Sequence, residues 1–466
     1  MSFIRRKYRY KVGRRKITGL ARIYIQNAID LAAAKFLPDT NYSVDISQSK
    51  ITLTVSPCGD RKVIRSKKNA SIVELSNKSI DSFCGDAEYV TVSLRSGKIV
   101  ISLHGSIKQR QARESSMMNM LSQGRITTAS LFSGVGALAY QLHRGFAHLG
   151  ISSEIQFANE IDPIAAEINV NFNPIWEFAT KCAVMECDDI QMMDFSDLPT
   201  NVGFLEIAIP CVGHSQLTAK ENRDLNHPLT GKLFIPTINA IKAMNPCTIL
   251  IECTPGLANS DTLSCIKDQL IKLGYVFETT SLKGSEFGDF EHRNRFCLFA
   301  VSNGVKHLFP SLQDIKITHT ESKSFASIMD RVSDTDPVWK EYSHVKARNA
   351  MNHLGYKNIL INGATKHMPA ILSSYGSPKA GQPFVAHPSN PDLQRMISVR
   401  EHSRIRQLPN KLVEALDMLS NGTLLGRTRT GKTLAHRFLG NMVSPTPWQR
   451  VIEHMFSSFN FKRSAI

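Results

Sequence analysis

Three segments of this chain carry residue types that do chemistry. Cys211 follows Pro210 at the end of the apolar run Gly203-Phe-Leu-Glu-Ile-Ala-Ile209. A second apolar run, Thr248-Ile-Leu-Ile251, ends in Glu252, and a turn with two glycines, Phe132-Ser-Gly134-Val-Gly136, lies ahead of both. A nucleophile, an acid and a nucleotide-type loop, each at the C-terminal end of an expected strand, fit one active site at the edge of a parallel sheet. Open α/β folds bind ligands there. Arg293-Asn-Arg295 precedes another apolar run, Phe296–Val301. Alternate positions on a strand share a face, so both guanidiniums are expected to point toward the site. Each segment also has a plainer account. Free cysteines are commonly buried and inert, a βα turn uses glycine for backbone reasons alone, Glu252 could cap a helix, and the arginines could line a solvated edge strand.

These residues need a scaffold, and the pattern from about residue 126 supplies one. Apolar runs alternate with amphipathic segments, which reads as a doubly wound sheet. Strands are expected at Ile126–Phe132, Ile155–Asn159, Phe204–Ile209, Thr248–Ile251 and Phe296–Val301, with helices at Gly136–Leu149 and Ala165–Phe172. The second strand leads into Glu160-Ile-Asp162, where such folds hold a ribose diol. Asp188-Asp189-Ile190 would add a contact to an adenine amine. The loop at Phe132 does not resemble a phosphate-binding P-loop, so the expected cofactor carries a nucleoside without a pyrophosphate.

Residues 303–394 break the alternation and read as a small inserted domain. Residues 395–466 resume it and end in an amphipathic helix after Asn441. Residues 1–110 form a basic, β-rich module, 111–125 a polar helical linker, and 126–302 the body of the sheet domain. The charge balance is +16 with a pI near 9.4, which favours a polyanionic partner, nucleic acid first. Nine cysteines without CxxC pairs or metal-ligand spacing indicate reduced thiols, no metal and a cytoplasmic protein. No apolar run is long enough to span a bilayer, so no membrane partner is expected.

In this order the segments resemble the DNA (cytosine-5)-methyltransferase family of bacterial and phage type. Phe132-Ser-Gly134-Val-Gly136 is similar to the family's S-adenosylmethionine loop, Glu160 to its ribose-binding acid, and Asp189-Ile190 to its adenine contact. Pro210-Cys211 resembles the catalytic Pro-Cys, Leu229-Thr-Gly231-Lys-Leu-Phe234 the helix start that follows, Glu252 the Glu of Glu-Asn-Val, and Arg293-Asn-Arg295 the Gln-x-Arg-x-Arg motif. Ser398-Val-Arg-Glu401 resembles the motif after target recognition. Gly440-Asn441-Met-Val443 resembles the last motif, which folds back onto the cofactor pocket. The resemblance implies a Rossmann-like class I methyltransferase sheet, S-adenosylmethionine as cofactor, duplex DNA as partner and a monomer in the bacterial cytoplasm or nucleoid. It implies cofactor contacts from Phe132, Gly134, Gly136, Glu160, Asp189, Ile190, Pro210, Asn441 and Val443. Cys211 would attack carbon 6 of a flipped cytosine, Glu252 would hold the ring N3 and amine, and Arg293 and Arg295 would stabilise charge. The chain departs from the pattern at Ser130 (usually Asp), Val212 (Gln), Cys253-Thr254 (Asn-Val) and Glu291 (Gln).

The insert at 303–394 would be the target-recognition domain, with Lys306, His307, Arg331, Lys340, Lys346, Arg348 and Lys357 suited to phosphate. The first module contains an apparent duplication. Arg22–Leu31, Tyr42–Ile46 and Lys50–Val55 form one unit; Ser71–Leu75, Tyr89–Leu94 and Lys98–Leu103 form the other. Together they resemble the swapped-hairpin barrels of AbrB-type DNA-binding domains. Ahead of them, Arg5-Arg-Lys-Tyr-Arg-Tyr-Lys11 interleaves base with aromatic, as nucleic-acid contacts do. Two other functions stand beside DNA methylation: an RNA cytosine-5 methyltransferase of the same fold, and a non-catalytic DNA-binding transcriptional regulator.

Overall fold

The computed structural model describes residues 5–47, 49–215, 218–317, 323–351 and 359–461. The chain forms two compact units, residues 1–111 and 112–466.

In the first unit the repeat seen in the sequence becomes strand, helix and hairpin, twice over. β1 (Arg6–Lys11) and β2 (Gly13–Arg14) precede β3 (Ala21–Ile25), α1 (Ala28–Ala33) and the hairpin of β4 (Asn41–Ile46) and β5 (Ile51–Val55). β6 (Arg61–Lys62) and β7 (Ile64–Arg65) precede β8 (Ser71–Leu75), α2 (Lys78–Cys84) and the hairpin of β9 (Tyr89–Arg95) and β10 (Lys98–Leu103). Both helices start on an asparagine: Asn27 accepts from the Asp30 amide and Asn77 from the Ile80 amide, each satisfying an otherwise orphaned donor. One sheet has the order β1-β9-β10-β5-β4-β6 and the other β2-β3-β8-β7. Alternate residues such as Ile23, Leu53, Val92 and Ile101 turn inward to one core.

α3 (Gly105–Ser122) occupies the stretch expected as a linker. From residue 112 onward it is docked rather than free. Met117, Met120 and Leu121 are buried in the main core. Arg113 donates to Ser302 Oγ at 2.9 Å and to the Leu273 and Gly274 carbonyls at 2.9 and 3.1 Å. Its apolar stripe is narrow, so the segment reads as polar in sequence.

The second unit has the expected α/β class, with a central, mostly parallel sheet. Its strands are β11 (Arg125–Leu131), β12 (Ser152–Asn159), β13 (Val184–Glu186), β14 (Phe204–Ala208), β15 (Thr248–Cys253), β16 (Tyr275–Lys283) and β17 (Asn294–Ser302). Their order is β13-β12-β11-β14-β15-β17-β16. The first five run parallel, and β17 is antiparallel to both of its neighbours. α4 (Ala137–His148), α5 (Pro163–Phe172), α6 (Phe234–Met244) and α7 (Asp261–Lys272) connect them. α5 starts where the sequence requires it: Asp162 caps the Ile164 and Ala165 amides and Pro163 takes the first helical position.

Residues 303–315 remain on the main sheet, with Val305, Phe309 and Leu312 in its core. The rest of the insert has α8 (Ser343–Asn349), a sheet of β18 (Ile359–Ile361), β19 (Pro383–Ala386) and β20 (Gln394–Met396), and its own core around Phe325, Ile361, Tyr375 and Phe384. Two of its expected phosphate contacts are already committed. Lys306 pairs with Glu278 at 3.1 Å and Lys346 with Asp392 at 2.8 Å. Lys357 lies outside the described residues.

α9 (Val399–Ile405) opens on a capping box formed by Ser398 and Glu401. α10 (Asn410–Asn421), α11 (Lys432–Asn441) and α12 (Pro445–Met455) follow. α12 lies against α4 so closely that a Cβ on Gly145 would meet the Gln449 carbonyl and Ile452 Cβ at 2.8 Å. No helix among the described residues is long and apolar enough to cross a membrane.

Candidate active site

The carboxyl ends of β11, β12, β14 and β15 open on one cavity of about 840 Å³. Its floor begins at the loop after β11. Phe132, Gly134 and Gly136 all have positive φ, at 58°, 55° and 76°. Such angles strain a phenylalanine and suit glycine. The loop is clamped from α5: Asn169 donates to the Gly134 carbonyl at 3.1 Å and Asn173 to the Gly136 carbonyl at 2.9 Å. A Cβ on Gly136 would lie 2.3 Å from Asn173 Nδ2, so glycine is required there on two counts.

Glu160 projects into the cavity from the end of β12. One of its oxygens accepts from the Gly134 amide at 2.7 Å and the other from the Asp162 amide at 2.8 Å. Burial pushes its carboxyl up, and these amides pull it back down. Asn159 donates to the Asp188 carbonyl at 2.9 Å, which places Asp189 and Ile190 on the same wall.

Cys211, Glu252 and Arg295 line the other end. Cys211 begins a short 3-10 turn after Pro210. The turn is braced from the segment after β15. Cys253 donates its thiol to the Ile209 carbonyl at 3.4 Å and Thr254 its hydroxyl to the His214 carbonyl at 3.2 Å. A Cβ on Gly256 would strike that same carbonyl at 2.0 Å. Cys253 and Thr254 therefore hold the loop that carries Cys211. Glu252 and Arg295 sit on antiparallel strands, with Arg295 Nε 2.9 Å from Glu252 Oε1 and both side chains largely buried. Burial pushes the Glu252 carboxyl up, against the pull of Arg295 and then Arg293. Burial likewise raises the Cys211 thiol; Arg295 lowers it, Glu252 raises it, and Arg293 lowers it. On balance burial favours the protonated form of both the Cys211 thiol and the Glu252 carboxyl.

Asn441 and Val443, from the end of α11 and the turn after it, also line the cavity. Two expectations change. Arg293 does not line the cavity. Its guanidinium is buried, donating to Glu291 at 3.2 Å, to the Gly440 carbonyl at 3.1 Å and to the Ile371 carbonyl. β17 starts at Asn294, so the two arginines do not share a strand face. Gly136 also lies off the cavity wall and shapes the loop from below. Among the described residues no group of three or more His, Cys, Asp or Glu side chains could hold a metal ion.

The sequence reading missed Asn169, Asn173 and Arg437. The two asparagines stand four residues apart, one helical turn, and that spacing was the available signal. Arg437 lines the cavity and donates to Asp162 at 2.9 Å. Nothing near it in sequence announced that.

A family model described as C-5 cytosine-specific DNA methylase matches residues 126–456. The chain is 28% identical over 186 residues to the Type II methyltransferase M.MspI of a Moraxella species, covering 39% of this chain and 40% of that protein. It is 25% identical over 194 residues to the Type II methyltransferase M1.BsuMI of Bacillus subtilis, covering 39% and 44%. The matches thus span less than half the length of these two relatives. The fold resembles the methyltransferase EhMeth of Entamoeba histolytica, with a TM-score of 0.56 at 17% identity over 72% of this chain and 98% of that one. The AbrB-type likeness of the first unit finds no support in these comparisons.

Proposed function

Because the chain belongs to the C-5 cytosine-specific DNA methylase family, we propose that it methylates carbon 5 of a cytosine flipped out of duplex DNA, through a covalent Cys211 adduct. One observation carries this reading: Cys211 and the Glu252–Arg295 pair share a single cavity with Phe132, Glu160 and Asp189.

The residues present fit S-adenosylmethionine, which supplies the methyl group when bound. Each Glu160 oxygen accepts one amide and keeps a lone pair for a ribose hydroxyl. Gly134 leaves the loop backbone open to close approach, and Asp189, Ile190, Pro210, Asn441 and Val443 complete the wall. Gly136 acts only by shaping the loop.

Cys211 Sγ loses its proton and bonds to ring carbon 6, which makes carbon 5 nucleophilic. Glu252 holds the ring N3 and exocyclic amine and gives N3 a proton as the sulfur adds. Arg295 fixes that carboxylate and offsets charge developing on the ring. Once carbon 5 is methylated, its proton leaves to water, N3 returns its proton to Glu252, the carbon–sulfur bond breaks and Cys211 departs as thiolate. A stacked base cannot reach this cavity, hence the flipping.

The test is covalent trapping on duplex DNA containing 5-fluorocytosine, whose fluorine cannot leave as a proton does. We expect a denaturation-resistant adduct that Cys211→Ala abolishes. An adduct formed on fluorinated RNA alone would move the substrate to RNA. Cofactor binding without any adduct would leave the regulator reading in its place.

A further inference from the structure

The chain's charge is concentrated. Residues 1–111 hold 21 Lys and Arg against 8 Asp and Glu, so this unit carries +13 of the total +16. Within it the cations are sorted by strand register. In β1, Arg6 turns inward to the buried Asp30 and Tyr10 packs on the core. The alternate residues Lys7, Arg9 and Lys11 are exposed and pair with Ser93, Thr91 and Tyr89 of β9. Arg5 joins that face by donating to Ser93 Oγ at 2.8 Å, and Arg9 lies over the Tyr89 ring at 4.5 Å. Arg95 and Lys98, paired across the β9–β10 hairpin, extend the row.

The unit's acids are mostly occupied elsewhere. Asp30, Asp39, Glu74, Asp81 and Asp86 all pair with arginines other than these. No ion pair among the described residues involves Lys7, Arg9, Lys11, Arg95 or Lys98. The one acid on the strands of this face is Asp45, on β4. The rest of the face carries the hydroxyls of Thr91, Ser93 and Ser102, in register, and the half-buried Val100. A membrane-surface site would instead present bulky apolar side chains.

We propose that this outer face of β1, β9 and β10 binds the phosphate backbone of duplex DNA and supplies most of the chain's hold on its substrate. Cations with serine and threonine hydroxyls are the usual phosphate contacts. Alternate residues of a strand stand about 6.7 Å apart, roughly twice the 3.4 Å axial rise per phosphate on one DNA strand. The choice of duplex DNA rests on the methyltransferase reading; the surface itself does not.

The test is the full-length triple variant Lys7→Ala/Arg9→Ala/Lys11→Ala. A second variant, Lys67→Ala/Lys68→Ala/Lys78→Ala, removes equal charge from elsewhere in the unit. Binding of a fluorescent duplex without fluorocytosine is followed by anisotropy from low to high salt. The first variant is expected to lose roughly tenfold or more in affinity and about 2 to 3 from the slope of log affinity against log salt. The second should match the parent. In turnover, the first should raise KM for DNA and leave kcat and S-adenosylmethionine affinity unchanged. Equal losses in both variants, or none in the first, would overturn the proposal. So would binding to phosphatidylserine vesicles that the first variant loses while keeping its hold on DNA. Failure of Cys211 trapping with the slope change intact would sink the catalytic reading and leave this one standing.

Discussion

Arg295 and Glu252 meet across antiparallel strands, joined at 2.9 Å, and the arginine opposes what burial imposes on the carboxyl. The arginine lowers both the carboxyl and the neighbouring thiol toward their charged forms. Replacing it with alanine removes a support from both groups at once. We expect Arg295→Ala to slow adduct formation by about 10²-fold or more, in line with the loss of one preorganised charged donor. Single-turnover trapping measures it, and a rate within threefold of the parent would refute the role.

The same pair sets a pH dependence. On the proposed mechanism Cys211 must be ionised to attack, and burial raises its thiol above the ordinary value. The trapping rate should therefore climb as pH rises past neutrality. In Arg295→Ala, where a lowering influence is gone, the rising limb should move to higher pH. A limb unmoved by that change would mean the thiol does not control the rate.

Glu291 anchors a buried ionic cluster. Its Oε1 accepts from the Ile371 amide at 2.6 Å and from Arg406 at 3.1 Å, and its Oε2 from Arg293 at 3.2 Å. Glu291→Ala would strand two buried guanidiniums, at a cost of about 3–5 kcal/mol. Urea unfolding reads this directly, and a loss below 1 kcal/mol would show that the cluster is not a unit.

Glu206 sits in the middle of the sheet, in register with Ser130 and Leu250. Burial first, then the charge of Glu252, pushes its carboxyl from 4.5 up to about 8. Between those values the folded chain holds a proton that the unfolded chain has lost. Stability is then fully present below the unfolded value and falls as pH rises through this window. Glu206→Gln keeps the shape and removes the titration. It should gain on the order of 4 kcal/mol over the parent at pH 8 and less than about 1 kcal/mol at pH 5. Parallel pH–stability curves for the two proteins would rule this out.

The loop after β11, proposed above to meet the cofactor, depends on one backbone position. Gly136→Ala meets both a positive φ and the Asn173 side chain. Weaker S-adenosylmethionine binding by roughly tenfold, with the melting temperature shifted only slightly, is the expected calorimetric outcome. Unchanged affinity would mean the loop tolerates the clash by moving.

Much of this site was legible because its residues end strands. Cys211, Glu252 and Glu160 each follow an apolar run whose length and composition mark a buried parallel strand, so their convergence followed from topology. Arg293 misled because alternation applies only inside a strand, and β17 begins one residue later. β16 escaped notice since its pattern is half-buried throughout, as suits an edge strand. Asn169 and Asn173 act through hydrogen bonds to loop carbonyls, which leave no hydrophobic signature.

The docking of α12 against α4 joins segments some 300 residues apart in the chain, at Gly145 and Ile452. Contacts this distant close late and slowly. Phe456 meets Phe204, Phe299 and, on α4 itself, Phe146, so these aromatic contacts form only once α12 has been made. Asn441 and Val443 lie just ahead of that helix, so this wall of the cavity is made some 230 residues after Cys211. A ribosome-bound chain halted before residue 441 would carry Cys211 in a cavity that still lacks Asn441, Met442 and Val443.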